Sequence, residues 1–250
     1  MKNILVPIGS VETGINNLRY AVNFATITQA RIYVTCIKTG DHTEAILKEV
    51  LENVHAQHIQ VVSKFISGDI FEGIASFAKA LHIDFIILSP QSIELNSDIY
   101  LGKTTGKIVR ETDIPMLIVP RDYLFRRFDS ILMAFKNANF KNEDNLETIE
   151  EIKDIFNAKL HLLHVKTPDV PEEASIISER LLANKDSLTN TSNATVFQGV
   201  LENYQAINPD MICLLRRKKQ NMFEKFWQRN EILKEEFHSS KPLLILRERE

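Results

Sequence analysis

The chain repeats itself at a nearly constant interval. Ile4-Leu5-Val6 near the start recurs as Ile131-Leu132-Met133, and Glu72-Gly73-Ile74 recurs as Gln198-Gly199-Val200. Asp84-Phe85-Ile86-Ile87-Leu88 recurs as Asp210-Met211-Ile212-Cys213-Leu214, and Ile114-Pro115-Met116-Leu117-Ile118-Val119 as Lys241-Pro242-Leu243-Leu244-Ile245-Leu246. All four pairs stand 126 or 127 positions apart. A fixed interval over four separate segments means one supersecondary plan used twice. It divides the 250 residues into two similar halves, residues 1–122 and 128–250, joined by Pro120 to Phe128. That linker is rich in Arg and aromatic residues and contains neither Gly nor Ser, which predicts a short, semi-rigid connection and docked halves.

Within the first half, short β-branched runs predict strands near Ile4–Ile8, Arg31–Ile37, Gln60–Phe65, Asp84–Leu88 and Met116–Val119. Between them, apolar residues at three- and four-residue spacing predict helices. Leu18, Ala21, Val22 and Ala25 mark one, and Ile70, Ile74, Phe77, Ala78 and Leu81 another. A helix is also expected around Ala45–Leu51 and over Gly102–Glu111. The second half predicts strands near Ser130–Phe135, Leu160–Val165, Asp210–Leu214 and Leu243–Leu246. Its third strand is placed by the repeat interval at Asp186–Thr191, where composition alone reads as a loop. Alternating strands and helices specify two tandem α/β units, each an open five-stranded parallel sheet with helices on both faces. Strands covered on both faces should be apolar throughout.

Composition narrows the function. A net charge of −3 gives no global attraction to nucleic acid or anionic lipid. No apolar run approaches a membrane span. Cys36 and Cys213 each lie in an apolar run and read as buried free thiols, which fits a cytoplasmic location. Among the seven histidines, His161 and His164 fall on opposite faces of one strand, and His55 and His58 have no completing ligand at metal spacing. No Ser–His–Asp or Cys–His arrangement is legible, so the chain reads as a binding or regulatory protein and not as an enzyme.

In a doubly wound sheet, ligands bind beyond the carboxyl ends of the strands. In the first half this selects Gly9 and Ser10, and the loop that contains Ser89 and Ser92 and ends at Gly102-Lys103-Thr104. A helix starting at Gly102 would offer free N–H groups to an anion, with Lys103 and Thr104 adding charge and a hydroxyl. The bland reading is an ordinary helix start with exposed caps. In the second half, Arg216-Arg217-Lys218-Lys219 precedes Met222, Phe223, Phe226 and Trp227 at helical spacing. Arg216, Arg217, Phe223, Phe226 and Trp227 therefore form a candidate partner surface. The bland alternative is aromatic packing against the neighbouring half beneath solvated charges.

The opening Ile4-Leu5-Val6-Pro7-Ile8, the order of elements and the ending Gly102-Lys103-Thr104-Thr105-Gly106-Lys107-Ile108-Val109-Arg110…Ile114-Pro115-Met116-Leu117-Ile118-Val119 resemble the universal stress protein family. Ser89, Ser92 and Gly102 keep the spacing of that family's nucleotide loop, Gly, two residues, Gly, nine residues, Gly. The resemblance implies a stress-response regulatory role, with no cofactor required and ATP or another adenine nucleotide as the ligand. It also implies pairing of the last strands, here met within the chain as a pseudo-dimer by Met116–Val119 and Leu243–Leu246, with a homodimer and an unidentified protein partner as further assemblies. Membrane and nucleic-acid partners are not expected. Serines stand where the family has its first two glycines, Gly9 stands where it has a nucleotide-contacting acid, and Lys136 takes that place in the second half. The expectation is degenerate and at most weak anion or nucleotide binding in the first half and none of the family's kind in the second. A genuine ATP-binding protein and a docking scaffold are the alternatives.

Overall fold

The computed structural model describes residues 1–37, 42–56, 58–66, 70–90, 99–140, 142–171, 176–216, 232–233 and 238–247. The first half contributes β1 (Asn3–Ile8), α1 (Val11–Thr28), β2 (Arg31–Ile37), α2 (His42–Glu52), β3 (Val61–Ile66), α3 (Ile70–Ala80), β4 (Phe85–Leu88), β5 (Ile99–Leu101), α4 (Lys103–Glu111) and β6 (Met116–Ile118). The second contributes β7 (Ser130–Phe135), α5 (Glu147–Phe156), β8 (Lys159–Lys166), α6 (Glu179–Asn184), β9 (Ser187–Ser192), α7 (Val196–Ile207), β10 (Met211–Arg216), β11 (Ile232–Leu233) and β12 (Leu243–Arg247).

The main sheet has ten strands in the order β3-β2-β1-β4-β6-β12-β10-β7-β8-β9. Reading outward from the centre, each half runs through equivalent strands in the same order. Within each half the pairs are parallel, and the single antiparallel pair of this sheet, β6 with β12, joins the halves. The two expected sheets are thus one hydrogen-bonded surface. Their meeting is self-complementary. Leu117 pairs with Leu244, its own counterpart 127 positions on, while Ile118 meets Leu243 and Met116 meets Ile245. A pseudo-twofold axis therefore passes through the Leu117–Leu244 pair, as in an isologous dimer.

The third strand of the second half exists as β9, where the repeat places it. Its sequence SLTNTS reads as a loop because β9 is an edge strand and half-exposed. The opposite edge, β3, also exposes Ser63, Lys64 and Phe65. Uniformly apolar strands are therefore found only toward the sheet centre, as in β4 and β6, and both edges depart from that expectation because one side of each meets solvent.

Core packing continues across the seam on both faces. One cluster holds Phe24 and Phe85 together with Phe128, Phe156 and Leu244, and the other holds Ile86 and Ile118 together with Ile212 and Ile245. The linker is part of the first cluster. Its Phe125 and Phe128 lie against Phe24 of α1 and Phe156 of α5, with Phe128 and Phe156 4.8 Å apart between ring centroids and Phe24 and Phe156 5.6 Å apart. The expected semi-rigid linker is thus an aromatic wedge between the halves.

The repeated aspartates close the amino ends of the sheets. Asp84 accepts from the N–H groups of Lys2 (2.7 Å) and Asn3 (3.1 Å), and Asp210 accepts from those of Asp129 (2.9 Å) and Ser130 (3.1 Å). Each aspartate ties the first strand of its half to the approach of the fourth. This explains why that position recurs on the side away from any ligand.

Candidate nucleotide and anion site

In the first half, connections run from β1 outward to β2 and β3, then cross back to β4. The crevice between the carboxyl ends of β1 and β4 is therefore the switch point. Gly9 and Ser10 follow β1, and Ser89 and Pro90 follow β4. Gly102 closes the base of the β4–α4 loop by donating its N–H to the Pro90 carbonyl at 3.2 Å. Thr105 Oγ1 donates to the Ser89 carbonyl at 3.0 Å. These two bonds aim the first turn of α4, with its outward N–H groups, at the end of β4.

The two site glycines differ from the structural ones. A Cβ on Gly73 would lie 1.8 Å from Ile66 Cγ2, and one on Gly199 would lie 2.7 Å from Val165 Cγ2. Helix–strand packing requires those glycines. A Cβ on Gly9 would meet nothing within 4 Å, and its φ lies outside the left-handed range. Gly102 has φ −70° and ψ 168°, open to any residue, and α4 starts there without a side-chain cap. The fold therefore demands no glycine for backbone conformation at Gly102, and for neither conformation nor space at Gly9.

Among the other residues selected by sequence, Ser10 caps α1. Its Oγ accepts from the Thr13 N–H and lies 2.7 Å from Thr13 Oγ1. Ser89 is half-buried, Thr104 is exposed, and Lys103 opens α4. Ser92 lies outside the described residues. Thr105 is the hydroxyl that sequence reasoning missed. It is buried and holds the loop, whereas Thr104 faces outward.

The matching position of the second half is built differently. Lys136, the counterpart of Gly9, pairs with both oxygens of Asp169 at 2.7 and 3.0 Å. His164 stacks on Phe135 and reaches the Lys136 carbonyl through Nε2 at 3.1 Å and Asn190 Oδ1 through Nδ1 at 2.9 Å. Burial pushes the Asp169 carboxyl up, but the Lys136 ammonium and the Thr167 side chain together outweigh it and hold the group below its usual range. A carboxylate with a depressed folded-state pKa stabilises above its unfolded pKa, about 4, and loses that contribution as pH falls through the folded value. The stability gap between the wild type and Asp169→Asn is thus expected at pH 7 and should shrink below about pH 4. Urea titrations at both pH values check this, and a pH-independent gap would refute it.

Arg216 departs from its expected place on a partner surface. It ends β10 with its side chain buried, because it shares the inward face of Ile212 and Leu214. Arg217, Phe223, Phe226 and Trp227 lie outside the described residues.

Residues 38–120, spanning α2 to β6 and the whole β4–α4 loop, match the model of the universal stress protein family. The chain carries a universal stress protein domain. Around that domain the full fold is similar to a universal stress protein from Archaeoglobus fulgidus DSM 4304, at 18% identity and TM-score 0.68, over 98% of this chain and 96% of that one. It is also similar to a functionally unknown protein from Pseudomonas aeruginosa PAO1, at 15% identity and TM-score 0.70, over 99% and 93%. The cytoplasmic domain of a prokaryotic cation chloride cotransporter shares the architecture at 12% identity and TM-score 0.53, over 99% and 96%. At these identities the likeness is one of fold. No curated protein sequence matches. Among the described residues, no group of three or more His, Cys, Asp or Glu could hold a metal, and no helix is long and apolar enough to cross a membrane.

Proposed function

We propose that this universal stress protein-like chain is a non-catalytic stress-response regulator whose first half binds an adenine nucleotide or related anion weakly. The observation that carries the reading is the pair of glycines, Gly9 and Gly102, at the switch-point crevice. Neither is demanded by backbone conformation, and at Gly9 no packing demands it either. A ligand that needs close backbone approach gives them a purpose. The N-terminal turn of α4 supplies N–H donors for phosphate. The serines at positions 89 and 92 support weak rather than tight binding, because a Cβ keeps phosphate farther from the backbone. The intervening Pro90 stiffens the loop further.

Titration calorimetry with ATP tests this. The expected dissociation constant lies between about 1 mM and about 1 μM, or roughly 4 to 8 kcal/mol. Gly9→Val should fold normally, since its side chain enters open space, and should bind at least tenfold more weakly, as should Gly102→Val. Absence of heat at millimolar ATP, or undiminished binding in both variants, would overturn the reading. Phosphate release from ATP well above background would overturn its non-catalytic part.

A further inference from the structure

The helix that opens the first-half site is held by the second half at both of its ends. Before α4 stands β5, which pairs antiparallel with β11 of the second half, Leu101 with Ile232 and Ile99 with Leu233. The two form a sheet of their own, so among the described residues β5 has no strand of its own half beside it. Gly102 follows directly, and α4 begins at the next residue. Tyr100 and Leu101 are buried in the core cluster that also holds Leu243 and Ile245 of β12. The strand that fixes where Gly102 lies is therefore seated on the other half.

At the far end of α4, Arg247 reaches across the seam. Ile245 stands opposite Met116, so Arg247, two residues further along antiparallel β12, comes opposite Ile114, just beyond the helix. Its Nη1 donates to the Thr112 carbonyl at 2.9 Å and to the Glu111 carbonyl at 3.4 Å, and it pairs with Asp113. No later turn of helix supplies donors to these carbonyls, and a cation there also suits the negative end of the helix. The Arg247 side chain is only 9% exposed, so little water competes for the contact. The clasp runs one way. The repeat places Pro120 at the position of Arg247, and its ring offers no donor in return.

We infer that the second half is a working part of the first-half site, with β11 and Arg247 as positioning elements that set the first turn of α4 against the end of β4. The inference takes its ligand from the nucleotide reading above and adds that the second copy serves the first. A helix as short as α4, with nine residues, is marginal by itself, and Gly106 weakens it further. Gly102 at its entry leaves the angle of approach to whatever holds the helix from outside. Both of the end supports described here come from the other half.

The test joins titration calorimetry with ATP to native-state hydrogen exchange, both on the full chain. Arg247→Met removes the donors and keeps a similar length, and Ile232→Pro/Leu233→Pro removes both N–H groups of β11. Each variant should bind ATP at least tenfold more weakly, although the altered residues lie in the other half, and Arg247→Lys should recover part of the loss. Without nucleotide, the Gly102 and Gly106 amides, which donate to the Pro90 and Gly102 carbonyls, should exchange at least tenfold faster in both variants. Those of Ile86 and Val119, bonded to the Pro115 and Leu88 carbonyls, should keep wild-type rates. Coupling between sites is reciprocal, so ATP should slow exchange at Leu233 in the wild type. A wild type that gives no heat with ATP would overturn the nucleotide reading, and exchange at the two glycines would still decide the clasp. Should Arg247→Met not fold, the double proline variant carries both measurements. Wild-type exchange at Gly102 and Gly106 in these variants, or wild-type affinity where ATP binds, overturns the proposal.

Discussion

Phe156→Ala should lower the stability of the whole chain by about 3–5 kcal/mol, the range for removing a buried aromatic ring. Phe156 is almost fully buried at the end of α5. Its ring meets Phe24 of the first half and Phe125 and Phe128 of the linker, and Arg127 lies 5.7 Å over its face. Phe24 carries the contact onward by stacking on Phe85 of β4 at 5.7 Å. A cavity at Phe156 therefore removes support from both halves at once, and little nearby can collapse into it between two fixed helices. In urea, the expected result is one transition shifted to lower concentration, followed identically by far-ultraviolet circular dichroism and tyrosine fluorescence. Two separated transitions would show that the wedge does not couple the halves.

A second large effect is expected at the seam. Leu117 and Leu244 are fully buried and face each other across the pseudo-twofold axis. Leu244→Asp would place a carboxylate in that apolar pair, at a cost of several kcal/mol. Burial should raise the pKa of the introduced acid above its unfolded value near 4. The folded state then binds the extra proton, so the penalty grows as pH rises from about 4 toward the raised value and eases on acidification. Relative to the wild type, the variant should be more stable at pH 5 than at pH 8. By symmetry Leu117→Asp should behave alike. A penalty near zero, or one independent of pH, would place the seam in contact with water.

These two sites also show what the amino-acid order makes legible. The β6–β12 contact follows from the repeat, because a self-complementary edge met by its own copy pairs with itself. β9 follows from the same interval although SLTNTS has no core pattern, since an edge strand needs only one buried side. The β5–β11 ribbon was not legible. A three-residue and a two-residue segment have no periodicity, and their pairing of Ile99 with Leu233 and Leu101 with Ile232 depends on how the halves sit. At the candidate site, Gly9 and Gly102 were readable from position alone. Thr105, Asp169 and Arg247 were not, because each acts on a partner from a different element. Arg216 misled because it opens a run of four basic residues that reads as surface, while its place as the last residue of β10 turns it inward.

The pairing of Leu117 with Leu244 has an evolutionary corollary. In a dimer of identical chains, every substitution near the axis appears twice, so a change that suits one ligand site is forced on the other. Covalent linkage lifts that constraint. One copy carries Lys136 and Arg216 where the other carries Gly9 and Pro90, and the shared strand edge still holds both in a single body. Fusion thus permits two unlike sets of strand ends within an assembly whose geometry remains that of a twin.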